Sequence, residues 1–234
     1  MNKIFKLHIS PDKPTYSSES NQDRESVETE LMFFARAEKL DDLSAAVSVE
    51  IQEQLEAAFE NGTRNRCRMT KQPGNGAKKY TMTMKIPRAT EHGIKSVVEH
   101  TVDIDYDFFE AYRSASHRCV KKARAKFATK KVQLKVRVEG QDRIIEGPEL
   151  FFEVDIFKDK LGQPYEWVKV DLELDALLAF AERELPGAKI EFDIDLSGIP
   201  LGLYDVFDGK DPTKKEIIDQ LWTDVVLNPQ NPEV

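Results

Sequence analysis

Six stretches of this chain alternate strictly between apolar and polar residues, and nearly every polar position is ionisable or a hydroxyl. Tyr80, Met82, Met84 and Ile86 are interleaved with Lys79, Thr81, Thr83 and Lys85. Val132, Leu134, Val136 and Val138 alternate with Lys131, Gln133, Lys135 and Arg137, and Phe152, Val154 and Ile156 with Glu153 and Asp155. Val168, Val170, Leu172 and Leu174 alternate with Lys169, Asp171, Glu173 and Asp175, and Ile190 to Leu196 repeats the pattern with acidic partners, as do Val27, Leu31 and Phe33 around Glu28 and Glu30. A period of two places alternate side chains on opposite faces of a strand, so the chain is committed to antiparallel sheet with one apolar face.

Four segments carry helical spacing instead. Leu43, Val47, Ile51, Leu55 and Phe59 follow Asp41 and Asp42 and stop at Asn61 and Gly62, which predicts a helix. Asp107 to Ser116 and Ala176 to Glu184 are shorter candidates, the second ending before Leu185, Pro186 and Gly187. Lys214 to Val226 follows Pro212, with Thr213 and Glu216 in capping-box spacing. Gln72 to Gly76 reads as a hairpin turn between two basic strands. With 234 residues and no sharp break in composition, the expected organisation is a single domain over 25–228. An extension over 1–24 precedes it, in which Phe5, Leu7 and Ile9 can add an edge strand, and a loose tail follows over 229–234.

The formal net charge of −8, from 34 basic and 42 acidic residues, argues against bulk nucleic-acid binding. The signs are nevertheless sorted along the chain. Asn61 to Thr90 holds eight basic residues and no acid, and Ala111 to Val138 holds ten, again with no acid. Arg64, Arg66 and Arg68 share one strand face at spacings of about 7 Å. At an effective dielectric near 20, each adjacent pair repels by roughly 2 kcal/mol. A bound polyanion relieves that repulsion, and a polyanion with metal counter-ions engages both signs.

Other chemistries lack their motifs. Cys67 and Cys119 have no metal or redox spacing, and His8, His92, His100 and His117 show no ligand pattern. Neither a Walker-type phosphate loop nor a nucleophile elbow is present. Met1 to Ile9 lacks the apolar core of a secretory signal, and no apolar run approaches the roughly 18 residues of a membrane helix. The expected location is cytoplasmic.

The order of these motifs resembles the CYTH domain, the superfamily of triphosphate tunnel metalloenzymes that includes inorganic triphosphatases, thiamine triphosphatases and class IV adenylyl cyclases. Glu28 and Glu30 match the opening ExExK strand, with Met32 where that motif has lysine. Arg66, Cys67 and Arg68 resemble the next basic strand, and Tyr80 to Lys85 the strand ending in a phosphate-binding lysine. Lys122 and Arg124 match the later K-x-R strand. Glu153 to Phe157 and Val170 to Leu174 resemble the paired acidic strands, with Asp171 in place of a glutamate. The likeness runs from about Glu28 to Leu174.

The resemblance implies an α+β fold: an antiparallel eight-stranded closed barrel, the triphosphate tunnel, with helices packed outside. It implies a metal-dependent triphosphatase that hydrolyses inorganic triphosphate or a nucleotide or thiamine-type triphosphate, working as a monomer or homodimer. Glu28, Glu30, Asp155, Asp171 and Glu173 are its candidate ligands for Mg²⁺ or Mn²⁺. Arg66, Arg68, Lys85, Lys122 and Arg124 are its candidate phosphate contacts, and Glu28, Glu30, Lys85 and Arg124 its candidate catalytic groups. The alternative is a catalytically weakened module of the same fold that binds a triphosphate, a nucleotide or an RNA 5′ end. A third reading is a structural protein whose charged faces are solvated.

Overall fold

A computed structural model describes residues 5–9, 24–58, 63–74, 76–87 and 95–230, with the backbone alone described at 5–9, 24–29, 58, 87 and 95–97. Most of the expected N-terminal extension, residues 10–23, and the end of the expected tail, residues 231–234, lie outside the described residues. The strands are β1 (Phe5–Ile9), β2 (Arg24–Ala37), β3 (Ser48–Ala58), β4 (Arg64–Lys71), β5 (Lys78–Pro87), β6 (Lys95–Asp103), β7 (Arg118–Ala128), β8 (Gln133–Val138), β9 (Gln141–Glu146), β10 (Phe151–Lys158), β11 (Pro164–Glu173), β12 (Lys189–Ile194), β13 (Leu203–Asp208) and β14 (Val226–Leu227). Helix α1 (Tyr106–Ala115) precedes β7, α2 (Asp175–Glu184) follows β11, and α3 (Lys215–Val225) precedes β14.

Ten strands form one antiparallel sheet in the order β10, β11, β2, β6, β5, β4, β3, β7, β14, with β13 added on β2. Strand β10 has β11 along one side and β7 along the other. The remaining four form a second sheet in the order β1, β12, β8, β9. This corrects the expected α+β fold of an eight-stranded closed barrel with helices packed outside: a ten-stranded sheet and a separate four-stranded sheet dominate the architecture. The extra strands follow from the need to pair backbone amides. Leu203 and Phe207 of β13 take register on Ala37 and Phe34, and Val226 and Leu227 of β14 on Val120 and Cys119. Among the described residues, strands β8, β9 and β12 pair with one another and with β1.

A second correction concerns the helix expected from Leu43 to Phe59: strand β3 forms over Ser48–Ala58, and Phe59, Asn61 and Gly62 lie outside the described residues. Residues four apart lie on one side of a helix, but four is an even number, so they also lie on one face of a strand. Ile51 and Leu55 therefore satisfied both readings. The intervening Glu50, Gln52, Gln54 and Glu56 carry the period-two signal. The three other helices form close to their expected bounds. Asp105 caps α1 by accepting from Phe108 N at 2.7 Å. Ahead of α3, the Thr213 hydroxyl donates to Asp211 at 2.6 Å rather than closing a box with Glu216.

The apolar face of the large sheet is covered in two areas. Phe33, Ala35, Phe152, Val154, Val168 and Val170 pack with residues of the small sheet, such as Leu134, Val136, Ile190 and Phe192, and with Leu177 of α2. Leu55, Cys67 and Cys119 pack under Phe109 of α1. Among the described residues, no helix is long and apolar enough to cross a membrane.

Candidate functional site

Directly opposed residues of an antiparallel pair point to the same face, and the register of the large sheet assembles its polar face strand by strand. On β7, Lys122 and Arg124 stand opposite Gln52 and Glu50 of β3. Arg124 and Lys126 stand opposite Asp155 and Glu153 of β10 on the other side. Lys169 and Asp171 of β11 oppose Asp155 and Glu153, and Glu30 of β2 opposes Glu173. Across β3, Arg66 and Arg68 of β4 oppose Glu56 and Gln54.

Further along, the same face turns apolar. Phe34, Val120, Phe157 and Trp167 cluster with Phe207 of β13 and with Leu221 and Val225 of α3. Trp167 and Trp222 meet Phe207 and Phe157 edge-on, and Arg118 lies over the Trp222 ring at 5.1 Å. Gly209 makes room for this end: its N–H donates to Met32 O at 2.9 Å, and a Cβ there would stand 3.1 Å from that oxygen and 2.7 Å from Met32 Cε. The charged groups thus rest on an aromatic floor. Side-chain exposure along β7 rises away from it, from 5% at Lys122 to 16% at Arg124 and 30% at Lys126.

Asp155 is the centre of the deepest ion cluster. Lys122 Nζ donates to its Oδ2 at 2.5 Å, and Arg124 forks onto both oxygens, Nε to Oδ1 at 2.7 Å and Nη2 to Oδ2 at 2.9 Å. Arg124 also bonds Glu153 and lies 3.8 Å from Asp171, which Lys169 bonds in turn. Burial acts to raise the Asp155 carboxyl, but Arg124 and Lys122 hold it well below the usual carboxylate range. Burial and the charge of Arg124 push Lys122 well below the usual lysine range. Asp171 is pushed up by burial, with Lys169 opposing and Glu30 and Asp155 adding to the rise. Burial likewise raises Glu173, against a 2.8 Å bond from Lys126 and alongside the charge of Glu153.

Arg68 is the exception on this face. Its Nε is buried with no hydrogen-bond partner, and among the described residues it makes no ion pair. Burial, then the charges of Arg66 and Arg124, push it down to about 9, with Asp155 and Glu153 only partly compensating. Gln52 Oε1, Gln54 Oε1 and Asp171 Oδ1 are also buried without partners. A buried guanidinium more strongly influenced by cations than by carboxylates is set to receive an anion, and its planar fork matches phosphate oxygens.

The face therefore brings together Arg68, Lys122, Arg124, Asp155, Asp171, Glu30 and Glu173 of the residues singled out in the sequence. Arg66 shares it, opposite Glu56 and Thr83. Lys85 of β5 is on the same face by register, opposite Arg64 and Glu99, and is bonded to the buried Glu99. The backbone of Glu28 pairs with that of Val97, and its side chain lies outside the described residues. Among the described residues, no group of three or more His, Cys, Asp or Glu can hold a metal ion. Asp155 is engaged by Lys122 and Arg124, and Glu173 by Lys126, so neither of these two carboxylates is open to Mg²⁺ or Mn²⁺ as arranged.

Sequence reasoning missed Lys169, Gln52 and Gln54. Lys169 precedes Asp171 by two on the polar side of β11 and was legible by alternation. The glutamines were hidden by the helical reading of their segment.

No protein-family model matches this chain, and no curated protein matches it. Among solved structures, it is similar to the PH1819 protein from Pyrococcus horikoshii OT3 at 17% identity and a TM-score of 0.39, over 61% of this chain and 76% of that one.

Proposed function

We propose that the polar face of the large sheet binds an oligophosphate, either inorganic triphosphate or the triphosphate of a nucleotide or similar ester. The observation that carries this reading is Arg68, a guanidinium whose buried Nε has no partner and which, among the described residues, forms no ion pair while feeling the charges of Arg66 and Arg124. Leaving such a cation unpaired is costly, and an arriving phosphate supplies the missing counter-charge. Lys122 and Arg124, held by Asp155, form the rigid side of the site, and Arg68 the receptive side. The succession of basic and acidic strands that resembles the CYTH domain supports the same ligand class.

Isothermal titration of the full chain with inorganic triphosphate and with nucleoside triphosphates, in chelator, tests the reading. Saturable binding that weakens with added salt is the expected result, and heat of dilution alone overturns it. The runner-up is a metal-dependent triphosphatase, favoured by the partnerless Asp171 Oδ1 near Glu30. Phosphate release with Mg²⁺ or Mn²⁺, lost in Glu30→Gln, decides for hydrolysis over binding alone.

A further inference from the structure

Two groups on the polar face are left over by phosphate binding. Gln52 and Gln54 of β3 are 1% and 8% exposed. Gln52 Nε2 donates to Glu50 Oε2 at 2.9 Å, and Gln54 Nε2 donates to Glu56. A carboxylate only accepts, so these bonds fix each amide nitrogen toward its glutamate and turn each carbonyl oxygen away. Both oxygens are then buried with no donor. Register sets Gln54 opposite Arg68 and Gln52 opposite Lys122, so the orphaned acceptors adjoin the groups that receive phosphate. An ionised phosphate carries acceptors alone and cannot satisfy either glutamine oxygen.

We infer that Gln52 and Gln54 are specificity-determining residues that select a triphosphate ester whose organic part presents an amino N–H, such as an amino-bearing nucleobase, over inorganic triphosphate. The inference rests on the phosphate-binding reading. A site built to hydrogen-bond a ligand N–H discriminates against a ligand lacking it, because the buried acceptor otherwise stays unpaired. The phosphates supply charge attraction common to all triphosphates, and the glutamines supply the difference between them.

The test titrates the full chain with inorganic triphosphate and with adenosine and cytidine triphosphates, each beside the analogue whose amino group is dimethylated. The unmodified chain binds at least one amino-bearing nucleotide roughly tenfold more tightly than its dimethylated partner. In Gln52→Met or Gln54→Met that gap closes to within about twofold. Should both variants lose the native circular-dichroism spectrum, the comparison of paired nucleotides on the unmodified chain still decides. Equal affinity within both nucleotide pairs, with inorganic triphosphate bound as well, overturns the selection by glutamine and leaves phosphate binding standing. Failure of every triphosphate to bind overturns the reading beneath it.

Discussion

Arg124 and Arg68 occupy the same polar face within a few strands of each other, yet their surroundings are opposite. Arg124 forks onto Asp155, reaches Glu153 and lies near Asp171, and its charge is held firmly by carboxylates. Arg68 has a buried Nε without a partner and two arginines as its strongest charged neighbours. One guanidinium is part of the framework; the other finds no ion-pair partner among the described residues. Position on a charged strand therefore does not by itself distinguish a structural cation from a receptive one. What separates them is which strand lies alongside: β7 pairs with the acidic β10, whereas β4 sets Arg68 opposite Gln54 and Thr81.

The sharpest way to break the contrast is to strip Arg124 of its partner. Asp155→Asn leaves Lys122 and Arg124 buried without their shared carboxylate and is expected to destabilise the fold by about 3–5 kcal/mol, read from urea unfolding. The sign with pH follows from the depressed carboxyl. The contribution of Asp155 is fully present above the ordinary aspartate value of about 4 and is lost as the pH falls through its lower folded value. The stability gap between wild type and variant therefore stays constant near neutrality and closes in acid; a gap that widens on acidification contradicts the pairing.

Arg68→Met probes the other member. Triphosphate affinity falls by about 10- to 100-fold, the loss of one charge-assisted contact, while the thermal midpoint holds or rises because an unpaired buried cation has been removed. A midpoint that drops as in Asp155→Asn makes Arg68 a framework residue after all. The smallest effect calibrates the scale. Lys215 and Asp219 form an exposed pair one helical turn apart on α3, and Lys215→Ala changes stability by less than about 0.5 kcal/mol.

The strands of the polar face were legible wherever alternation ran unbroken. Tyr80 to Ile86 falls within β5, Phe152 to Ile156 within β10, and Val168 to Leu172 within β11. β3 was not, because Ile51 and Leu55 fit two periods at once and the capping residues Asp41 and Asp42 pulled the reading toward helix. That error removed Gln52, Gln54 and Glu50 from consideration. The roles of Asp155 and Arg68 were out of reach for a different reason. The sequence shows both on polar strand faces, but that Asp155 would be taken up by Lys122 and Arg124 depends on β10 lying beside β7, a pairing that no local pattern encodes. The resemblance to the CYTH domain grouped these basic and acidic strands by type, and its eight-stranded architecture left no place for β13 and β14.

The aromatic floor beneath Lys122 has a consequence for how any anion is felt. With Phe157, Trp167 and Phe34 behind it, that end of the face holds little mobile electrolyte, whereas Lys126 near the rim is bathed in it. Counter-ions screen a charge only where they can approach it. Ionic strength therefore works as a depth gauge for this protein: contacts made at the rim fade as salt is added, and those made against the rings persist.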